Sequence, residues 1–63
     1  MCESNAYSVS QDGEKMIMEN VAHMKIESGK IHLTGLLGDE KTISGNIQEI
    51  KFLDHKILIS EKA

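Results

Sequence analysis

Cys2, the single cysteine of the chain, is the first candidate metal ligand in the sequence. If Met1 is retained, the Met1 amine, the Cys2 amide nitrogen and the Cys2 sulfur can form two fused five-membered chelate rings. If Met1 is removed, the Cys2 amine and thiolate still form one such ring. Nitrogen and thiolate donors in a square plane suit Ni(II) or Cu(II). The residue types alone leave open a second interpretation, in which Cys2 binds no metal.

Cys2 would need further donors, and a second copy of the chain could supply them. One chain offers too few ligands for a closed zinc site of four. Two chains related by a two-fold axis would bring both thiolates together in an S₂N₂ set. A chain of 63 residues also has a small core, and chains of this size often depend on a disulfide, a metal or a second subunit. A single cysteine excludes an intrachain disulfide, which leaves a metal, an oligomer or an unusually well-packed core. We expect a homodimer, because the core is small and a two-fold axis would place both Cys2 residues together.

The three histidines are weaker candidates as metal ligands. His23 and His32 lie in strand-like runs, and His55 shares a turn with Asp54. None has a partner histidine or glutamate at a ligand-like spacing, and a metal site needs several converging donors. We predict a solvated Asp54–His55 pair and leave a metal role as the alternative for each histidine. No nucleophile, phosphate-loop or dinucleotide motif is present, so we predict that the chain is not an enzyme.

Charge and composition disfavour several other classes of protein. All seven basic residues are Lys, against ten acidic residues, for a net charge of −3 with one Tyr, one Phe and no Trp. Nucleic-acid-binding domains are usually basic and carry stacking aromatics, so nucleic acid is an unexpected partner. No apolar run approaches the roughly 20 residues of a membrane span, and no secretory signal is expected after Met1. A lone thiol suits a reducing cytosol, and we therefore predict a cytoplasmic protein without a membrane role.

The elements that must position these residues are predicted to be strands. Turn signals occur at Gln11–Glu14, Ser28–Lys30, Gly38–Glu40 and Leu53–Ile57. The runs between them have strand length and alternate apolar with polar residues. The segment from Glu14 to Glu27 also has a helical periodicity, but several of its apolar residues fall off that face, and we favour strands.

We therefore predict one all-β domain over residues 1–63, a small Sm-like or SH3-like barrel of six or seven short strands. The four methionines, Met1, Met16, Met18 and Met24, are predicted to contribute mostly to the core. The main core is predicted to consist of seven further residues, Ile31, Leu33, Ile43, Ile50, Phe52, Ile57 and Ile59.

Two segments carry a resemblance to a known family. The opening Met1-Cys2-Glu3-Ser4-Asn5-Ala6-Tyr7 and the closing Gly45-Asn46-Ile47-Gln48-Glu49-Ile50-Lys51-Phe52-Leu53-Asp54-His55-Lys56-Ile57 resemble the CooT family. The family's namesake is a nickel-binding accessory protein of carbon monoxide dehydrogenase. The resemblance covers nearly the whole chain in length and in the layout of its turns.

The resemblance implies a homodimeric metallochaperone that binds Ni(II) through Cys2. The donor chemistry described above adds the Met1 amine as a further ligand if Met1 is retained. Its client would be a nickel enzyme such as carbon monoxide dehydrogenase. The alternative is a small Sm-like module that binds RNA or protein, in which Cys2 has no metal role. Fold likeness alone does not separate these hypotheses.

Overall fold

The computed structural model describes residues 3–62 and contains five β-strands. They are β1 (Ser4–Ser10), β2 (Gly13–Glu27), β3 (Lys30–Gly35), β4 (Glu40–Lys51) and β5 (Lys56–Glu61). Each strand pairs with the next in antiparallel fashion, and β1 pairs with β5 in parallel, which closes the sheet into a barrel. The prediction of an all-β barrel is confirmed, and so is the preference for a strand over residues 14–27.

The predicted count of six or seven strands was wrong, because β2 and β4 are long and each pairs with one neighbour along its first part and with another along its second part. Strand β2 pairs with β1 up to Val21 and with β3 from Val21 onward. Strand β4 pairs with β3 up to Ser44 and with β5 from Gly45 onward. Asn20, with a φ of 51°, and register shifts on both sides of Val21 mark the bend in β2. A bulge bends a strand without ending it, so two runs read as separate strands are continuous.

The turns follow the local sequence signals. Ser10 pairs with Gly13 across a two-residue loop, and Glu27 pairs with Lys30 across Ser28 and Gly29. Ser28 and Gly29 have φ values of 48° and 75°. Positive φ at both central residues is the type I′ geometry, which matches the twist of paired strands.

The core lies inside the barrel and consists of inward residues from all five strands. Five of the seven predicted core residues are buried, namely Ile31, Leu33, Ile43, Ile57 and Ile59, together with Ala6 and Met18. Ile50 and Phe52 were wrongly assigned to it, since they are 39% and 80% exposed. Ile50 lies at the mouth of the barrel, and Phe52 follows the last residue of β4. Met24 is half-buried, whereas Met16 is exposed.

A lysine side chain ties β5 to β2 across the outside of β1. The Nζ of Lys56 lies 3.1 Å from Oε1 of Glu14 and 5.2 Å from the centre of the Tyr7 ring. The hydrogen bond and charge of Glu14 raise the pKa of Lys56 above its usual value of 10.5. A raised folded-state pKa means that this contact stabilises the barrel below pH 10.5 and ceases to do so as the pH rises through the higher value.

We expect the thermal midpoint to fall more steeply above pH 10.5 in the wild type than in Glu14→Gln, because the variant has already lost the partner that holds the proton on Lys56. The measurement is thermal unfolding followed by circular dichroism from pH 8 to pH 12, and Glu49→Gln serves as a control on an exposed position of β4. Parallel curves for the wild type and Glu14→Gln would contradict the assignment. The effect is expected to be small, since exposed ion pairs contribute little.

Candidate functional site: the N-terminal face of the barrel

One end of the barrel gathers the start of β1 and three other segments, and we call it the N-terminal face. It comprises Asn5, Asn20, the loop 36–39 and the turn 52–55. Hydrogen bonds join these parts in series. The Asn5 N–H donates to the His55 carbonyl at 2.8 Å, the Asn20 N–H donates to Oδ1 of Asn5 at 3.0 Å, and the Leu36 N–H donates to the Asn20 carbonyl at 2.9 Å.

Asn5 is the residue that connects the others. Its backbone fixes β1 to the 52–55 turn, and its side chain satisfies a backbone donor at the bend of β2. Asn20 has a φ of 51°, a conformation that asparagine tolerates better than most residues. Both asparagines therefore position backbone and were not recognised from the sequence. The only available signal was an asparagine within an otherwise strand-like run.

The predicted metal ligands Met1 and Cys2 lie outside the described residues. The described chain begins at Glu3, and Asn5 is hydrogen-bonded to the 52–55 turn through the His55 carbonyl. Three peptide units separate Cys2 from Asn5, which corresponds to at most about 11 Å of extended chain. The point of attachment of the predicted ligands is therefore the N-terminal face.

The structure places His55 apart from the other two histidines, which are diagonal neighbours across the pairing of β2 with β3. His23 and His32 lie on the outer face of the barrel, on β2 and β3, with Nε2 of His32 3.7 Å from Oε1 of Glu27 and its Nδ1 3.1 Å from Oγ1 of Thr42. His55 lies on the N-terminal face. Within residues 3–62, no three side chains of His, Cys, Asp or Glu converge on a point where they could hold a metal ion.

The 52–55 turn differs from the expected solvated pair. Asp54 is exposed, but His55 is half-buried with a φ of 55°. Its N–H donates to the Phe52 carbonyl at 3.3 Å, while its own carbonyl accepts from Asn5. The apolar residues of this turn, Phe52 and Leu53, are 80% and 96% exposed.

A groove of about 450 Å³ shares Asn20 and the 36–39 loop with the N-terminal face and extends along β2. Its apolar lining consists of Met16, Ile17 and Met18 of β2 and Leu36 and Leu37 of the loop. Its polar lining consists of Glu19, Asn20 and Asp39. The sequence analysis did not identify this groove. The signal that could have found it is a pair of leucines between two glycines, Gly35-Leu36-Leu37-Gly38, at a place where a turn is predicted.

The described chain is a small closed β-barrel with exposed apolar residues on the 36–39 loop and on the 52–55 turn. The chain belongs to the CooT family, whose model is described as CO dehydrogenase accessory protein CooT and matches residues 1–60. The resemblance seen in the sequence is thereby confirmed, and membership implies an accessory role in relation to CO dehydrogenase. An accessory role fits the expectation of a protein that is not an enzyme.

Two relatives illustrate the range of similarity. A candidate CooT from Carboxydothermus hydrogenoformans has a crystal structure that superimposes with a TM-score of 0.90 at 27% identity, covering 98% of this chain and all of that one. A protein of Methanothermobacter thermautotrophicus, described only as uncharacterized, is 34% identical over 59 residues, covering 94% of this chain and 88% of the relative. Among residues 3–62, no helix is long and apolar enough to cross a membrane.

Proposed function

We propose that this protein is a cytoplasmic nickel metallochaperone, a homodimer that captures Ni(II) at Cys2 and supplies it to a nickel enzyme such as carbon monoxide dehydrogenase. The main support is the match of the CooT family model over residues 1–60, a range that includes Cys2. The barrel is expected to be of the Sm-like or SH3-like kind. Nickel is the cargo in this proposal, and the chain catalyses no reaction on it.

The donor chemistry at the start of the chain fits Ni(II). The Cys2 thiolate, the Cys2 backbone nitrogen and the Met1 amine, if Met1 is retained, form a compact N/S set, which suits a square-planar d⁸ ion. The proposal requires this site to exchange ligands with a client. Ligands of a client can then replace those of the chaperone one at a time, which is what transfer requires.

The N-terminal face supports the proposal of a dimer around this site. Phe52 and Leu53 expose a contiguous apolar surface on a turn that is hydrogen-bonded to Asn5. Lys51 and Asp54 flank it with opposite charges. A two-fold contact uses the same surface on both copies, so that each contact occurs twice. Lys51 of one copy can therefore face Asp54 of the other, and Asp54 of the first can face Lys51 of the second. Pairing through this turn would also bring the two N-terminal segments together.

We expect the wild type to run at twice the chain mass of 7.0 kDa and the double variant Phe52→Ser/Leu53→Ser to run at the monomer mass. The reason is that the variant removes the apolar surface of the turn while leaving the buried core unchanged. The measurement is light scattering coupled to size exclusion at micromolar concentration. Ile26→Ser is the matched control, because Ile26 is 61% exposed on β2, outside the N-terminal face.

The stoichiometry of nickel tests the proposal as a whole. Native mass spectrometry should find one Ni(II) per two chains in the wild type. One nickel per monomer, or a dimer that survives in Phe52→Ser/Leu53→Ser, would contradict the shared site. Absence of nickel binding together with salt-sensitive retention on RNA would favour the alternative of an RNA-binding module.

A further inference from the structure

The groove that shares Asn20 and the 36–39 loop with the N-terminal face contains two leucines that are exposed instead of packed in the core. Leu36 and Leu37 are 55% and 95% exposed. Solvent exposure of two adjacent leucines forgoes hydrophobic stabilisation that burial would provide. Met16 on β2 faces the same groove and is 43% exposed. These side chains form a continuous apolar lining that the barrel itself does not use.

The loop is fixed by its own hydrogen bonds. The Gly35 N–H donates to the Asp39 carbonyl at 2.7 Å, the Gly38 N–H donates to the Gly35 carbonyl at 3.0 Å, and the Leu36 N–H donates to the carbonyl of Asn20. The Asp39 carboxylate packs directly over the Cα of Gly35, in space that a Cβ would need. The leucines are thus presented in a preformed conformation, which lowers the entropic cost of binding a partner.

The charged groups of the groove have one sign. Glu19 and Asp39 line it, and the lining contains no lysine. A second copy that docked through the same groove would bring carboxylate against carboxylate, which disfavours self-association there. The 52–55 turn, with Lys51 and Asp54, carries both signs instead. The groove therefore complements a basic partner rather than another copy of this chain.

We propose that the groove docks a segment of a partner protein that carries adjacent apolar side chains flanked by lysine or arginine. The apolar pair would lie on Leu37 and Met16, and the flanking cations would face Glu19 and Asp39. Asn20, which lines the groove, is hydrogen-bonded to Asn5, so a docked segment lies beside the attachment of residues 1 and 2. The identification of this partner as the nickel client rests on the proposed function, whereas the groove and its preference do not.

The test of the groove uses three capped hexapeptides and the full chain. Lys-Lys-Leu-Phe-Lys-Lys should give saturable amide shifts in nitrogen-edited NMR spectra, confined to residues 16–20 and 35–39. Glu-Glu-Leu-Phe-Glu-Glu and Lys-Lys-Ser-Ser-Lys-Lys should bind at least about tenfold more weakly, a difference of roughly 1.4 kcal/mol. Equal binding of all three, no saturable binding of the first, or shifts elsewhere on the barrel would overturn the proposal.

Variants assign the binding to particular side chains. Leu37→Ser should weaken binding of the Lys-Lys-Leu-Phe-Lys-Lys peptide at least tenfold. Glu19→Gln should weaken it several-fold. Ile26→Ser should leave it unchanged. Leu37 is 95% exposed, so its loss should not disturb the fold. If Leu37→Ser instead converts a dimer into a monomer, the groove is the contact between copies and the proposal is wrong.

A transfer assay separates this inference from the proposed function. Nickel-loaded Leu37→Ser, at concentrations below saturation, should restore the activity of nickel-depleted carbon monoxide dehydrogenase at least about tenfold more slowly than the wild type, although it binds the same amount of nickel. Peptide binding without any nickel binding would support the docking role of the groove and contradict the proposed function. Transfer at the wild-type rate by Leu37→Ser would remove the role of the groove in docking the client.

Discussion

Cys2→Ser should abolish the near-ultraviolet charge-transfer band that Ni(II) produces when it binds the wild-type protein, while the far-ultraviolet circular dichroism remains that of a β-barrel. A serine hydroxyl is a hard, weakly acidic donor and does not replace a thiolate for Ni(II). The barrel should be unaffected, because residues 3–62 form its strands and core without Cys2. The measurement is a titration with nickel chloride followed by absorbance.

The pH dependence of binding tests the same ligand independently. A free thiol titrates near pH 8.5, and nickel must displace its proton to bind sulfur. Nickel affinity should therefore fall as the pH falls below neutrality, because protons compete for the thiolate and for the amine. Binding that does not change with pH would be inconsistent with these donors.

His55→Ala is the matched control for Cys2→Ser, since His55 is the histidine on the N-terminal face. Its carbonyl, which any residue supplies, accepts the hydrogen bond from Asn5. We expect His55→Ala to retain the nickel band. A nickel band that survives in Cys2→Ser and disappears in His55→Ala would replace the N-terminal site with a histidine site.

Gly45→Ala should lower the stability more than alanine at any other glycine, because only at Gly45 would the added Cβ overlap backbone atoms. Gly45 is the residue at which β4 passes from β3 to β5, and its N–H donates to the Gly29 carbonyl at 3.0 Å. A Cβ at this position would overlap the Ser60 carbonyl oxygen and stand 3.0 Å from the Cα of Glu61. Both are backbone atoms, so β5 would have to move away from β4.

We expect Gly45→Ala to lower the free energy of unfolding by roughly 3 kcal/mol, the upper part of the range for overpacked sites. In a domain of this size, that corresponds to a fall in the thermal midpoint of about 12–24 °C. Gly38→Ala is the control, because a Cβ there meets nothing within 4 Å and only the φ of 91° is unfavourable. If both variants melt together, steric overlap with β5 is not the reason that position 45 requires glycine.

Much of the barrel could be predicted from local patterns. The alternation of Ile31 and Leu33 and the turn at Ser28-Gly29 each depend on a few neighbouring residues, and the structure agrees with both. The continuity of β2 through Asn20 could not be predicted in this way. A bulge shifts the two-residue period of a strand, and the pattern then resembles an interruption.

The candidate site also has one part that local sequence predicts and one part that it does not. The chemistry of Cys2 can be read from its residue type and its neighbours along the chain. The hydrogen bonds of Asn5 to His55 and Asn20 depend on pairings between distant strands, which no local pattern specifies. Phe52 was placed in the core because it continues the apolar alternation of β4, although the strand ends at Lys51.

The parallel pairing of β1 with β5 has a consequence for the life of the protein in the cell. Asn5 pairs with Lys56, and its N–H needs the carbonyl of His55. The first strand can pair early with β2, but it meets its second partner, β5, only after nearly the whole chain has left the ribosome. Contacts so distant in sequence form late in folding. Nascent or truncated chains would carry the first residues without the fixed face behind them. Within residues 3–62, the hydrogen bond from Asn5 to His55 therefore forms only in a chain whose fifth strand is complete.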